Sequence, residues 1–410
     1  MKQKLKRNKG ITLIALILTI IVLLILAVVA ISAVTGDGII SHAKNAKEDY
    51  TKAQANEQAI LQGYLGQLDE SQLASGKIKD NLNKVLSTGG NITLEDDFGN
   101  KIKVPAGFKI ITKTDTENTD LNYTADTIDV TKGIVVEDGE GNQFVWIPVG
   151  TIYTNAEKTE SKTITLGRYV FKSDGTIDTE YSQSTPTGML FSSGYYFEAT
   201  KSTTNANAKD IEEFVSKANA SGGYYLGRYE ARVENYDASN ISTSNSDNSE
   251  DWTGYVAESG KNLKLVSKAD SQVWNYVTQR KASSLCQSMY TSNLFTSDLV
   301  NSYAWDTAIV FIQEFENSTY SQTKGEASDS KLSNTGLSIL KATSAVDKQC
   351  NIYDMAGNCY EWSTETFIDP SGHCTLRGGA YNVRCTSSRI GGPTTTTVDY
   401  VNAFRPVLYM

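Results

Sequence analysis

Apolar residues run almost unbroken from Ile11 to Val34, and no charged side chain appears between Gly10 and Asp37. As a helix, a run of about 24 residues extends for about 36 Å, enough to cross a bilayer with some tilt. After Gly36-Asp37-Gly38 the pattern changes. Ile39, Ala43, Ala46, Tyr50, Ala53, Ile60 and Tyr64 recur at intervals of mostly three and four, and Glu57 fills one position of the stripe. Lys, Glu, Gln and Asn occupy most of the rest, which predicts an amphipathic helix with a narrow apolar stripe. It reads as a stalk, as a helix lying on its own domain, or as one packing against like subunits. Gln72–Leu86 reads as a weak helix, followed by a turn at Gly89-Gly90. From Lys101 the pattern turns strand-like, with runs at Lys101–Val104, Phe108–Thr112, Gly133–Glu137 and Phe144–Pro148. Two stretches rich in Ser, Thr and Asn, Thr200–Ala208 and Glu234–Glu250, have too few apolar side chains for a core and read as exposed loops.

Charge orients this pattern. Lys2, Lys4, Lys6, Arg7 and Lys9 precede the apolar run, so the short N-terminal end is expected in the cytoplasm and the chain after Val34 outside. The run is too long for a signal-peptide core, and its best small-x-small site, Ala30-Ile31-Ser32, lies inside it. The whole chain carries 38 basic and 47 acidic residues; without the first ten residues 33 basic residues remain against 47, a net of −14. An acidic exterior disfavours nucleic acid and anionic lipid as partners of the outer part. At 410 residues the chain is long enough for one large or two ordinary domains beyond an anchor.

The basic run, the Lys9-Gly10 junction and the apolar stretch together resemble the leader of type IV prepilins and pseudopilins. That resemblance implies cleavage by a prepilin peptidase between Gly10 and Ile11, a bacterial membrane location, and association with other pilin-like subunits. The family usually has Glu at the fifth mature position. Ala15 stands there, so the carboxylate that pairs with a neighbour's N-terminal amine is missing.

The five cysteines, Cys286, Cys350, Cys359, Cys374 and Cys385, all fall in the part expected outside, where disulfides are permitted. Their odd number leaves at least one unpaired or bonded to another chain. No Cys-x-x-Cys pair is present, which argues against a zinc knuckle or a thioredoxin-like site. Of the two histidines, only His373 lies in the globular part.

Seven blocks then follow in order: Phe144–Pro148, Gly222–Ala231, Val273–Val277 leading to Cys286, Tyr303–Asp306, Asn351–Trp362, Leu376–Tyr381 and Ala403–Pro406. Together they resemble the formylglycine-generating enzyme superfamily, a variant of the C-type-lectin-like fold, over about residues 131 to 410. The expected fold class is therefore α+β: an N-terminal transmembrane and stalk helix followed by a loop-rich C-type-lectin-like domain. The expected divisions are a leader at 1–10, a transmembrane helix at 11–36, a stalk at 37–70, a linker with small strands at 71–130, and the lectin-like domain at 131–410. Trp305 and Trp362 are expected to centre the core. Gly378-Gly379 suits a close backbone approach. Arg377 and Arg405, set among apolar residues, need partners if buried, and Glu361 and Asp354 are the natural candidates.

The superfamily's chemistries map poorly onto this chain. Its oxidase branch holds copper with two thiolates five positions apart; in that register stand Val383 and Ser388, neither a soft ligand. The iron branch needs three histidines. A nucleophilic Ser or Cys would want a histidine base, and His373, beside Pro370-Ser371-Gly372, reads as a turn residue. The domain is thus expected to be catalytically silent, with no cofactor except possible structural calcium. Asn358 and Glu361 match calcium positions of the enzyme branch and are hard ligands; equally, they could simply hydrogen-bond crossing strands.

Binding remains. Residues 380–402 are polar and rich in small side chains. In the variable proteins of diversity-generating retroelements, which share this fold, the matching stretch forms the ligand face. The resemblance implies a face built from Asn382, Arg384, Thr386, Ser388, Arg389, Thr394, Thr396, Asp399 and Tyr400, a mixture of adaptable polar side chains and rigid Tyr that binding loops favour. An ordinary surface loop is the alternative. The leading expectation is a membrane-anchored, pilin-like surface protein that uses this domain for adhesion or recognition of an extracellular protein or glycan. The alternatives are a minor pseudopilin of a secretion or pilus machine and a divergent oxidoreductase.

Overall fold

The computed structural model describes residues 21–22, 76–86, 89–181, 189–191, 194–198, 211–269, 271–325, 348–368, 373–380, 383–391 and 393–410. The chain divides into two compact units, Met1–Leu73 and Ala74–Met410. Apart from Ile21 and Val22, the described residues belong to the second.

Two hairpins show how local sequence starts the sheets. Ile92–Glu95 pairs antiparallel with Lys101–Val104 around Asp96-Asp97-Phe98-Gly99-Asn100. Val135–Glu137 pairs with Gln143–Pro148 around Asp138-Gly139-Glu140-Gly141-Asn142. In the first turn Asp96 Oδ1 accepts from the N–H groups of Phe98 (2.9 Å) and Asn100 (2.8 Å). In the second Asp138 Oδ1 accepts from Glu140 and Asn142, both at 2.8 Å. Gly99 (φ 80°) and Gly141 (φ 86°) supply the left-handed residue that each turn needs. Each Asn amide then returns to its Asp Oδ2. Asp-x-x-Gly-Asn is thus one turn solution used twice.

The second hairpin feeds a six-stranded sheet. Its order is Thr296–Leu299, Pro406–Tyr409, Gly223–Gly227, Gln143–Pro148, Val135–Glu137, Lys109–Ile110. Phe144–Pro148 and all of Gly223–Gly227 are buried, as central strands covered on both faces must be. The helices Ile211–Ser221 and Ser302–Phe315 pack on this sheet. Phe214 of the first meets Tyr224 and Tyr409 edge-on, at centroid distances of 5.3 and 5.2 Å. The second sheet runs Arg389–Gly391, His373–Arg377, Tyr360–Ile368, Gly194–Glu198, Met189–Phe191, with Asn402–Phe404 parallel to Tyr360–Trp362. Arg405 is therefore the hinge between two strands in different sheets.

The fold class differs from the α+β expectation. Regular structure among the described residues is mostly strand; apart from the helical pair Ile21 and Val22, it holds three α-helices, Ile211–Ser221, Gln279–Ser288 and Ser302–Phe315. Among them no helix is long and apolar enough to cross a membrane. The expected transmembrane and stalk stretches, Ile21 and Val22 excepted, and the Gly10–Ile11 junction lie outside the described residues. Of the weak helix expected at Gln72–Leu86, residues 72–75 lie outside the described residues, and the rest holds a two-residue strand at Gly76–Lys77, a 3-10 turn at Ile78–Asn81 and a bridge from Leu82 to Ile110. Ile78, Leu94, Ile102 and Val104 join one apolar cluster with Val145, Tyr224 and Leu408, so the strands before residue 131 share the main core. Of the two low-complexity stretches, Thr200–Ala208 lies outside the described residues. The other holds a strand, Tyr236–Ile241, paired with Tyr255–Ala257.

Candidate functional site

Two buried ion-pair nests underlie the C-terminal stretch. In the first, Arg405 Nε donates to both oxygens of Glu361 (3.2 and 3.0 Å), and its Nη atoms donate to the carbonyls of Gly227 and Tyr353, both at 2.8 Å. Arg232 faces Asp354 at 3.7 Å. Glu230 accepts from Cys359 N at 3.0 Å and from the Asn358 amide. Burial, then the carboxylates of Asp354 and Glu361, push Glu230 well above the ordinary carboxylate range.

In the second nest, Arg168, Arg377 and Arg389 converge on Glu365 and Asp306. Burial pushes the Glu365 pKa up, but the fields of Arg389, Arg168 and Arg377 win and hold it at about 2. Arg377 thus takes Asp306 and Glu365, neither of the two candidate partners, while Arg405 takes Glu361, one of them. Trp305 Nε1 donates to Thr386 O, and Trp362 Nε1 to Val277 O, both at 2.9 Å. Both tryptophans are fully buried, matching the expectation that they centre the core. Gly378 has φ 81°, and a Cβ there would lie 2.7 Å from Met355 O, so the close approach expected of Gly378-Gly379 is real.

The residues expected to bind ligand divide over this frame. Thr386 is fully buried; its N–H and hydroxyl both donate to Thr323 O, at 2.9 and 3.2 Å. The Arg389 side chain is 5 % exposed and belongs to the second nest. Ser388 is half-buried, and its carbonyl accepts from Arg377 Nε at 3.2 Å. Arg384 and Thr394 are exposed, and Thr396, Asp399 and Tyr400 are half-exposed. Asn382 lies outside the described residues.

The outward-facing subset is joined by residues with no apparent role in the sequence. Asn245 Nδ2 donates to Thr396 O at 3.1 Å, and Thr395 Oγ1 donates to Glu250 at 2.9 Å. Arg280 pairs with Glu250 at 2.9 Å. Tyr276 N donates to Asp399 O at 3.2 Å from a backbone at φ 45°, a conformation costly for a bulky residue. Asn275 Nδ2 donates to Tyr400 O at 2.9 Å. The only signal for the 245–252 contribution was its polar, small-residue composition.

The chemistry available is limited. Cys286, Cys350, Cys359, Cys374 and Cys385 are all free thiols. Burial, then Glu230, raises Cys359 well above an ordinary thiol, and burial with Glu250 pushes Cys374 up to about 12. Neither is a thiolate nucleophile at neutral pH. Val383 is exposed, and Ser388 Oγ accepts from Cys385 N at 3.2 Å. The backbone of His373 pairs with Phe367 in the second sheet. Both Glu361 oxygens accept from Arg405, the Asn358 amide nitrogen donates to Glu230, and Asn358 Oδ1 is buried with no hydrogen-bond partner among the described residues. Among the described residues no group of three His, Cys, Asp or Glu is gathered to hold a metal ion.

No protein-family model matches this chain, and no curated protein matches it.

Proposed function

We propose that this chain is a surface-displayed recognition protein. Its apolar N-terminal run holds it at a bacterial cell membrane after cleavage at Gly10–Ile11, and its larger unit binds an extracellular protein or glycan without turning it over. The observation that carries the reading is a contrast within one segment. Arg377, Thr386 and Arg389 are locked into buried pairs and carbonyl contacts, whereas Arg384 and Thr394 are exposed and residues 395–400 are half-exposed, with Thr396 and Thr395 bonded to Asn245 and Glu250. A rigid frame under polar loops is how binding proteins change specificity without losing stability.

The test pairs affinity with melting. Arg384→Ala, Thr394→Ala, Thr396→Ala and Tyr400→Ala together are expected to abolish adhesion to host cells or arrayed glycans. Each alone should shift stability by no more than about 0.5 kcal/mol. Trp362→Ala should lower stability by about 3–5 kcal/mol through the cavity it leaves. Loop changes that melt the protein as badly as Trp362→Ala would make residues 394–400 part of the core and sink this reading.

A further inference from the structure

A cleft of ≈ 450 Å³ opens beside the Asp138–Asn142 turn and shares no residue with the C-terminal face. Its apolar side is formed by Met289, Tyr290, Leu294 and Phe295, and its charged side by Asp138 and Glu140. No Lys or Arg is among its lining residues.

The walls are preorganised. Asn91 Nδ2 donates to Leu294 O at 2.6 Å, while Asn91 Oδ1 accepts from Ala106 N at 3.1 Å, stapling two sides of the opening. Tyr290 stands edge-on to Phe295 at 5.4 Å, and its hydroxyl donates to Asp138 Oδ2 at 2.6 Å. Burial and the Asp138 carboxylate both raise the Tyr290 phenol, so the ring stays neutral. Asp138 is spent on fixing its turn and this ring. Glu140 is different: its side chain is 58 % exposed, and its one ion-pair partner among the described residues, Lys264 at 2.9 Å, is itself 37 % exposed. An exposed pair of this kind is weak and exchangeable.

We propose that this cleft is a docking site for a lysine side chain of a partner protein. The ammonium exchanges with Lys264 on Glu140, and the four-carbon stem lies against Met289, Leu294 and Phe295. The volume leaves room for apolar neighbours of that lysine. Charge complementarity selects the class: a carboxylate rim over aromatic and aliphatic walls suits a cation on an apolar stem.

The full chain in detergent micelles is titrated with a fluorescent Leu-Lys-Leu peptide and followed by anisotropy. The same peptide with norleucine in place of lysine is expected to bind about tenfold more weakly. Glu140→Gln should weaken the lysine peptide at least about fivefold, and Thr291→Lys, which places a rival cation on the exposed rim, should do the same. Arg384→Ala should leave binding unchanged, so failure here is separable from failure of the C-terminal face. Melting curves of Glu140→Gln and Thr291→Lys should match the wild type. Equal binding of both peptides, or full binding by both cleft variants, would overturn the proposal. Tighter binding of spermidine than of the peptide would overturn its assignment to a protein partner.

Discussion

Glu365 and Glu230 are both fully buried, yet their surroundings drive them in opposite directions. Three guanidiniums overcome the burial of Glu365 and hold it ionised, with a pKa of about 2. Glu230 sits among carboxylates that add to its burial, and together they raise its pKa well above the ordinary range. The sign of the pH dependence follows. A depressed acid contributes stability above its unfolded value near 4.5, and that contribution is lost as pH falls toward about 2. A raised acid contributes fully below 4.5 and loses its contribution as pH rises toward its folded value. Glu365→Gln should therefore cost about 3–5 kcal/mol at pH 7, because it strands buried guanidiniums, with a smaller penalty near pH 3. Glu230→Gln should cost no more than about 1 kcal/mol at pH 5 and gain on the wild type by pH 8. Urea melts at the four pH values decide both. A large Glu230→Gln penalty that grows with pH would show an ionised Glu230. The two nests also mark where sequence reading stopped. Arg389 and Thr386 are polar residues in a polar stretch and read as surface. Their inward orientation depends on Asp306, Glu365 and Thr323, which come from distant parts of the chain that local pattern does not connect.

Among the elements, those with a local cause were legible. Lys101–Val104 alternates cleanly, and Gln143–Pro148 is a short apolar run closed by Pro148; both are strands within a residue of their expected bounds. The misread element had a misleading period. Ile78, Leu82 and Leu86 are spaced by four like a helical stripe, but the chain spends them on a 3-10 turn and on contacts with Ile110 and Phe108 backbone. The helix Ser302–Phe315 carried the opposite problem. Ser302–Ile312 is buried on every side, so no polar face gave it a period. Its one local mark is the cap: Asn301 Oδ1 accepts from Ala304 N at 2.8 Å. Asn301→Ala should lower stability by about 1 kcal/mol, since the helix end is buried and water cannot replace the bond. Gly378→Ala should cost more, because φ 81° and the 2.7 Å approach to Met355 O oppose any side chain. A thermal melt that ranks Asn301→Ala as the worse of the two would contradict this account of the close approach.

At the scale of the whole molecule, the described unit is closed by its last strand. Pro406–Tyr409 lies between Gly223–Gly227 and Thr296–Leu299, pairing residue by residue with Val407 and Leu408 against Leu226 and Tyr225 on one side and with Thr296 through Leu299 on the other. Val407, Leu408 and Tyr409 are buried, and Tyr409 also closes the aromatic contact with Phe214. Burial of each such side chain stabilises by about 1.5–3 kcal/mol, and the hydrogen bonds to two strands add to that. Their combined loss is comparable with the whole net stability of about 5–15 kcal/mol typical of a folded protein. Ending the chain after Arg405 should therefore abolish the cooperative melt and open the unit to limited proteolysis, even though Arg405 and both ion-pair nests are kept. Circular dichroism on the shortened chain measures this, with a Tyr409→Ala chain as the graded control, expected to fold but to melt lower. A truncated chain that still melts cooperatively within a few degrees of the full one would mean that the six-stranded sheet does not depend on its C-terminal strand, and that the ion-pair nests alone hold its halves together.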